Sequence, residues 1–533
     1  MNWRSARWAM CGCLLTATGG RAQAQAAEPI GLFTDHTDVG TVLHPGSVVY
    51  DAAKRSYTIS GSGENVWATA DAFQFVWKKM EGDFTLTADI SVLGQGGDPH
   101  KKAMLMARQS LDADSAYVDV ALHGVGLTSL QSRDAKGADT HEIQSNISAP
   151  KKLRLQKHGD EFTMWLAGED GKFQFAGGSM RVPLTGAFYV GLGVCAHNKD
   201  AVERAEFSHL ALDTKLPGLF AQAYATLETI DTNSTDRRVA YIEPPSPIFG
   251  SSFAAPNWTP DGASLLFDLD GRIGIVPAGG GNPKFIDTGH PTLNSTEFHG
   301  VSPDGTMLAV SGVRPDGELA IYVMPIGGGM PRRVTLEAPS FWHGWSPDGT
   351  TMVFTTFRRG EFGIYTIPAA GGKETRLAAI GDDSVAGGNP LATAAIGGSA
   401  EYSPDGKYIY FNSNRSGAME IWRMRPDGSQ PEQVTKDGAG NWFPHISPDG
   451  RLLAFLTPQR RDSPFPARAA ELSLRIMSLA EGQIRVLANL TGKVGTMPVP
   501  SWSPDSRRLA FVSYQGITAE DMLLPPPAPG VVK

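Results

Sequence analysis

Six near-copies of one five-residue signature occupy the second half of this chain and restrict its fold more than any other feature. They read Trp258-Thr-Pro-Asp-Gly262, Val301-Ser-Pro-Asp-Gly305, Trp345-Ser-Pro-Asp-Gly349, Tyr402-Ser-Pro-Asp-Gly406, Ile446-Ser-Pro-Asp-Gly450 and Trp502-Ser-Pro-Asp-Ser506. Their aspartates stand at 261, 304, 348, 405, 449 and 505, at intervals of 43, 44, 57, 44 and 56 residues. Three intervals match the roughly 40–45 residues of a four-stranded propeller blade, and two carry insertions of about a dozen residues. Each copy has the same grammar: an aromatic or aliphatic residue ends a strand, proline fixes φ, and glycine supplies the positive φ that closes the turn. An apolar strand follows, as in Leu265-Leu-Phe267 and Leu452-Leu-Ala-Phe455, then a third strand such as Ile321-Tyr-Val323.

The last copy is followed only by Phe511-Val-Ser513 and a proline-rich stretch, so its outer strands must come from elsewhere. Leu227-Glu-Thr-Ile-Asp231 and Arg238-Val-Ala-Tyr-Ile242, ahead of the first copy, read as the missing pair. Sharing one blade between the two ends of the repeat region removes free sheet edges. The expectation is a six-bladed β-propeller over 219–516, with a Pro-rich tail over 517–533. These repeats resemble the TolB-like propellers of bacterial envelopes and are similar to the propeller of the dipeptidyl-peptidase-IV group. The resemblance implies a fold, and one fold hosts many functions.

Residues 30–213 lack the repeat but alternate in a strand-like way, for example in Asp83-Phe-Thr-Leu-Thr-Ala-Asp-Ile90 and Phe162-Thr-Met-Trp-Leu166. Many short strands with polar turns predict an antiparallel sandwich. Gly82-Asp-Phe-Thr-Leu, the Lys-Leu-Arg-Leu strand from Lys152 and Phe188-Tyr-Val-Gly-Leu-Gly resemble a concanavalin-type (laminin-G-like) jelly roll. That resemblance implies binding of sugars or proteins; Trp67, Trp77 and Trp165 could stack on a sugar ring, with core or rim packing the favoured reading for each. Leu216-Pro217-Gly218 is the expected hinge. The fold class is therefore all-β: a six-bladed propeller preceded by a jelly-roll (concanavalin-like) β-sandwich.

Arg4, Arg7, the apolar stretch Trp8 to Thr18 and the small-x-small sites at Ala22-Gln-Ala24 and Ala24-Gln-Ala26 predict a signal peptide over 1–26 and a periplasmic location. No other segment approaches the ~20 apolar residues of a membrane helix. Forty-seven basic against 55 acidic residues, a net charge of −8, argue against a nucleic-acid partner. Cys11 and Cys13 fall in the leader, which leaves Cys195 in a strand-like run as a buried thiol and excludes a thiolate metal site.

No nucleophile elbow, zinc-helix motif or phosphate loop occurs. Polar residues do recur just before the signature, at the start of the expected innermost strands. His299 and His343 stand three residues before the motif Ser, and Asn257, Glu401 and His445 two before it (before Thr259 in the first copy). Innermost strands line a propeller's axial channel, so these five are the candidate ligand-binding residues. Three imidazoles, His299, His343 and His445, with the Glu401 carboxylate suit a divalent metal (Mn, Ca or Zn) or an acid–base pair. The alternative is that they bond neighbouring blades or line a wet pore. The pattern is distantly similar to oligogalacturonate lyases, seven-bladed enzymes with a histidine-held metal. On that resemblance Glu401 is a ligand or base, and Tyr402 and Arg415 are candidates for proton transfer and carboxylate binding. The leading expectation is an exported binding protein that takes a protein or carbohydrate ligand at the funnel mouth. The alternative is a metal-dependent carbohydrate-active lyase or hydrolase.

Overall fold

The computed structural model describes residues 30–215, 219–245, 253–289, 293–315, 317–359, 361–379, 399–459 and 470–518. The expected signal peptide, the hinge at 216–218 and nearly all of the Pro-rich tail lie outside them. Among the described residues every element is a strand except the 3-10 turn Val494–Thr496.

The repeated signature builds one turn six times. Ser302 Oγ donates to Asp304 Oδ1 at 2.5 Å and accepts the amide of Met307 at 2.9 Å, and Asp304 Oδ1 also accepts the amide of Thr306 at 3.1 Å. The same three contacts recur at Thr259, Ser346, Ser403, Ser447 and Ser503. Bonds of this kind favour the carboxylate form. The Ser403 hydroxyl, with Lys407 beside it, holds the Asp405 carboxyl down at about 2. The closing glycines of the first five copies take φ between 69° and 74°. Ser506 takes the same left-handed conformation at 63°, strained for a residue with a Cβ, and its Oγ accepts the amide of Asp449 in the preceding blade at 3.0 Å.

Five blades stand as separate four-stranded antiparallel sheets, over 254–285, 294–333, 340–379, 400–433 and 442–492. Neighbours are tied by backbone contacts: Trp345 Nε1 donates to Gly300 O at 3.1 Å, and Trp502 Nε1 to His445 O at 2.9 Å. Gly300 is required there, because a Cβ would lie 2.2 Å from the Trp342 ring of the next blade. The expected sixth blade is not a separate sheet. Arg508–Thr518 pairs with Leu219–Asp231, which pairs with Arg237–Glu243, and the innermost strand is reduced to the bridge between Trp502 and Leu509. The outer strand then pairs in parallel with His141–Gln144, Ile143 facing Arg237. The three strands are thus the end of a ten-stranded sheet whose other seven strands come from the N-terminal half. An outer strand has a free edge, and here another free edge covers it.

In the N-terminal half those seven strands face a seven-stranded antiparallel sheet across one core. Leu86, Leu155 and Phe162 of one sheet meet Leu105, Val120 and Leu192 of the other, all fully buried. Tyr224 of the shared strands joins this core, packing on Phe175 and Trp165 at ring distances of 4.9 and 5.8 Å. Trp165 is therefore a core residue and not a sugar platform.

One buried ion pair sits in the seam. Arg237 forks onto Glu228 at 2.8 and 2.7 Å and donates to Ser179 O of the seven-stranded sheet at 2.9 Å, while Ser513 donates to the same carboxylate. Both side chains are almost wholly buried. Removing one partner strands the other charge, so Glu228→Ala is expected to cost about 3–5 kcal/mol. The check is the lowest thermal unfolding transition, which should fall well below that of the wild type and be partly restored in Glu228→Gln.

Candidate functional site

Strand register decides which of the five candidates can meet. Asn257, Glu401 and His445 pair with Leu266, Tyr410 and Ala454, each seven residues beyond the motif Thr or Ser. The residues in the equivalent position of the second and third blades are Gly300 and Gly344, opposite Ala309 and Val353. His299 and His343 stand one residue earlier, and a one-residue shift along a strand turns a side chain to the other face. The pairing is irregular just there, between Ser295 and His299 and between Trp342 and Gly344.

The row that is in phase does converge. His445 Nδ1 lies 2.6 Å from Glu401 Oε2 across adjacent blades, and its Nε2 lies 3.0 Å from Met497 O. With Nε2 donating to that carbonyl, the imidazole faces the carboxylate at Nδ1 as a tight pair. Asn257 binds the blades on either side, donating to Pro500 O and accepting the amide of Val301. Its role matches the alternative of inter-blade hydrogen bonding.

Neither of the two shifted imidazoles hydrogen-bonds this pair. His343 bonds Thr355 Oγ1 at 2.7 Å and packs edge-on against Phe298 at 5.2 Å. His299 is fully buried, and neither of its ring nitrogens has a hydrogen-bond partner among the described residues. Burial drives both rings down to about 3, with His445 adding to the effect at His343. Among the described residues no group of three or more His, Cys, Asp or Glu side chains is arranged to hold a metal ion. His299, His343 and His445 therefore do not assemble into the expected metal set. Tyr402 keeps its proton, pushed up to about 12 by burial and then by Asp348. Arg415 bonds Ser413 Oγ and Ala379 O, both at 2.9 Å, between the rings of Phe411 and Trp422.

The longer interval before the last motif holds what the motif pattern missed. Its segment 493–500 crosses the inner ends of several blades, with Thr496, Met497 and Val499 fully buried. Met497 O takes His445 and Pro500 O takes Asn257, while Gly495 abuts Ala254 and Glu297. Enclosure raises the Glu297 carboxyl, opposed by Lys493, whose Nζ sits 4.7 Å from the Tyr514 ring. The segment thus touches inner strands of the first, second and fifth blades.

Among the described residues, three open recesses lie between blades beside the signature turns. One of about 510 Å³ is lined by Asp304, Asp348, Arg332 and Trp345, and one of about 480 Å³ by Asp405, Asp449, Arg423 and Tyr408. A third, about 370 Å³, is lined by Asp505, Asp261, Arg508 and Trp258.

No family model matches the chain. It is 38% identical over 291 residues to the uncharacterized protein Atu1656 of Agrobacterium fabrum, over 54% of this chain and 92% of that protein. It is 23% identical over 258 residues to the Tol-Pal system protein TolB of Francisella tularensis, over 47% of this chain and 54% of that relative's length. A solved structure described as putative TolB from Agrobacterium tumefaciens is 36% identical, with 55% of this chain and 99% of that one covered at a TM-score of 0.49. The propeller is TolB-like. No helix among the described residues is long and apolar enough to cross a membrane.

The buried histidines set an acid limit. An unfolded histidine takes its proton near pH 6.5, whereas these two take it only near 3, so the unfolded state binds protons first as pH falls. Stability is then lost from about pH 6.5 downward, by up to about 1.4 kcal/mol per pH unit for each ring. His299→Leu is expected to flatten this slope without loss at neutral pH, since no hydrogen bond is given up. Thermal midpoints between about pH 7 and about pH 4.5 test it.

Proposed function

We propose that this chain, which belongs to the family of the Agrobacterium fabrum protein Atu1656, is an exported envelope protein that binds a protein partner on the signature-turn face of its propeller. The three strands shared by both chain ends act in this reading as the sixth blade, and the N-terminal sheets as a concanavalin-like second module. One observation carries it: three inter-blade clefts are built alike, each offering two motif aspartates with at least one arginine and at least one aromatic ring. Repetition of one recess around a ring suits a partner that lays successive loops across it. An aromatic face beside an arginine is also the composition in which binding energy concentrates. The motif aspartates are exposed, and hydrogen bonds within the turn favour the carboxylate form at Asp261, Asp304 and Asp348, so they present negative charge to a partner's donors. The similarity to a Tol-Pal system protein supports an envelope setting. A carbohydrate-active enzyme draws less support, because Glu401, His445 and Asn257 already have partners within the chain.

Capture from an envelope extract by wild-type protein, Trp345→Ala/Arg332→Glu and His299→Leu tests this. A polypeptide held by wild type and His299→Leu should bind the cleft variant about 30-fold more weakly or worse, the loss expected for a hot-spot pair worth about 2 kcal/mol. Equal binding by the cleft variant, or capture of a protease-resistant glycan alone, would overturn the reading.

A further inference from the structure

The N-terminal half contains a polar cluster that neither the propeller nor the repeat accounts for. Strands Lys102–Arg108, Tyr117–His123 and Phe188–Cys195 are buried on both faces, and a cross-strand row on the face away from the main core reads Cys195, Lys102, His123. His197 and His100 lie two residues beyond Cys195 and two before Lys102, so register gathers three imidazoles distant in sequence at one sheet end. His100 stands 5.9 Å from His123 and 5.5 Å from His197, ring centre to ring centre. Asp98 organises the rim: its Oδ1 accepts the His100 amide at 2.7 Å and faces His197 Nδ1 at 3.2 Å. His197 holds that position in the left-handed conformation, φ 54°, a strain of the kind that collects at binding sites.

The hydrogen bonds below the rim fix the proton on His123. Lys102 Nζ can only donate, and it lies 3.1 Å from Gln131 Oε1, which sets the amide with its nitrogen 3.3 Å from His123 Nε2. That amide donates, so Nε2 accepts and the ring proton sits on Nδ1. His123 is 5% exposed, and its Nδ1 has no partner among the described residues. A buried N–H without an acceptor costs about 1–3 kcal/mol and calls for an oxygen. A metal ion would need the lone pair that this proton occupies.

We propose that His123, with His100 and His197 at its mouth, forms a site for a small oxyanion, a carboxylate or a phosphate. The His123 Nδ1 proton donates to one ligand oxygen, and ring N–H groups of His100 and His197 supply further donors. The charged groups around the rings are Lys101, Lys102, Asp98, Asp119, Glu142 and Glu203. Lys101 is taken by Glu203 at 3.0 Å, and Glu142 accepts from Gln144 Nε2. Asp119, buried with both oxygens unpartnered and its carboxyl pushed well up by burial, faces Lys102. Burial pulls the Lys102 ammonium down, with Asp119 opposing it, so the site's hold on an anion rests on the ring N–H donors.

Calorimetric titration of the full chain with inorganic phosphate, glucuronate and glucose tests this. The expected result is saturable binding of one or both anions, none of glucose, and about tenfold weaker binding in His100→Ala. Phosphate binding alone identifies a phosphate site and glucuronate alone a carboxylate site. Silence for both anions, unchanged affinity in His100→Ala, or stoichiometric zinc binding lost in that variant would overturn it. His100 is exposed, so its removal leaves the fold intact, and His123→Gln provides a second variant, in which the ring and its Nδ1 donor are lost while an acceptor for Gln131 is kept.

Discussion

Glu228 brings a carboxylate into a seam where four segments of the chain meet, and Arg237 neutralises it with two hydrogen bonds. Ser513 reaches the same carboxylate from the C-terminal strand, and Arg237 reaches Ser179 in the N-terminal half. A buried pair of this kind contributes little stability relative to an apolar core, but it tolerates no change of register. Sliding the first strand past the last by one residue would aim Glu228 at the wrong face. The closure of the ring and the attachment of the N-terminal half are thus one event at one place. Gly177 and Gly178 allow it, since side chains there would run into Val239 and Glu228.

Continuity of the ten-stranded sheet has a mechanical consequence. Where two domains meet only through side chains, relative motion is the ordinary expectation. Here parallel pairing of Ile143 with Arg237 and the aromatic packing of Tyr224 on Trp165 and Phe175 put backbone hydrogen bonds and core contacts into the same junction. The N-terminal half is an extension of the closing strands, and any ligand bound on it is held in fixed register with the propeller.

The repeat made the blades legible, because Pro-Asp-Gly turns have demanding backbone chemistry and recur at blade length. The closing strands were legible too: 227–231 and 238–242 fall inside Leu219–Asp231 and Arg237–Glu243. Six equal blades were not what formed, since motif spacing carries no information on what an outer strand pairs with. The upstream polar residues were found, but a one-residue offset was enough to separate His299 and His343 from Glu401 and His445. In the 56-residue interval, a dozen extra residues appeared as an insertion, and nothing in their composition told that Met497 and Pro500 would cross the inner strands. His100, His123 and His197 carry no motif. Only pairing between strands brings them together, and register across a sheet is invisible to a reading of one strand at a time.

The same limit explains where unsatisfied polar groups gather. Period-two alternation assigns Lys102, Asp119, His123 and Gln131 to the face away from the core, where solvent would satisfy them. That face is covered by a second apolar cluster, including Val66, Phe73, Met104 and Tyr117. Asp71, on the strand Ala70–Asp71, meets the cost of burial by taking both Arg108 and Arg133, at 3.3 and 2.8 Å. The Asp119 carboxylate oxygens and the Nδ1 of His123, on the same face, have no hydrogen-bond partner among the described residues. Two outcomes are open to a buried polar group, a partner in the fold or a partner that arrives. The contrast between the arginine-paired aspartate and the orphaned histidine separates the part of this face that builds the sheet from the part that is left for a ligand.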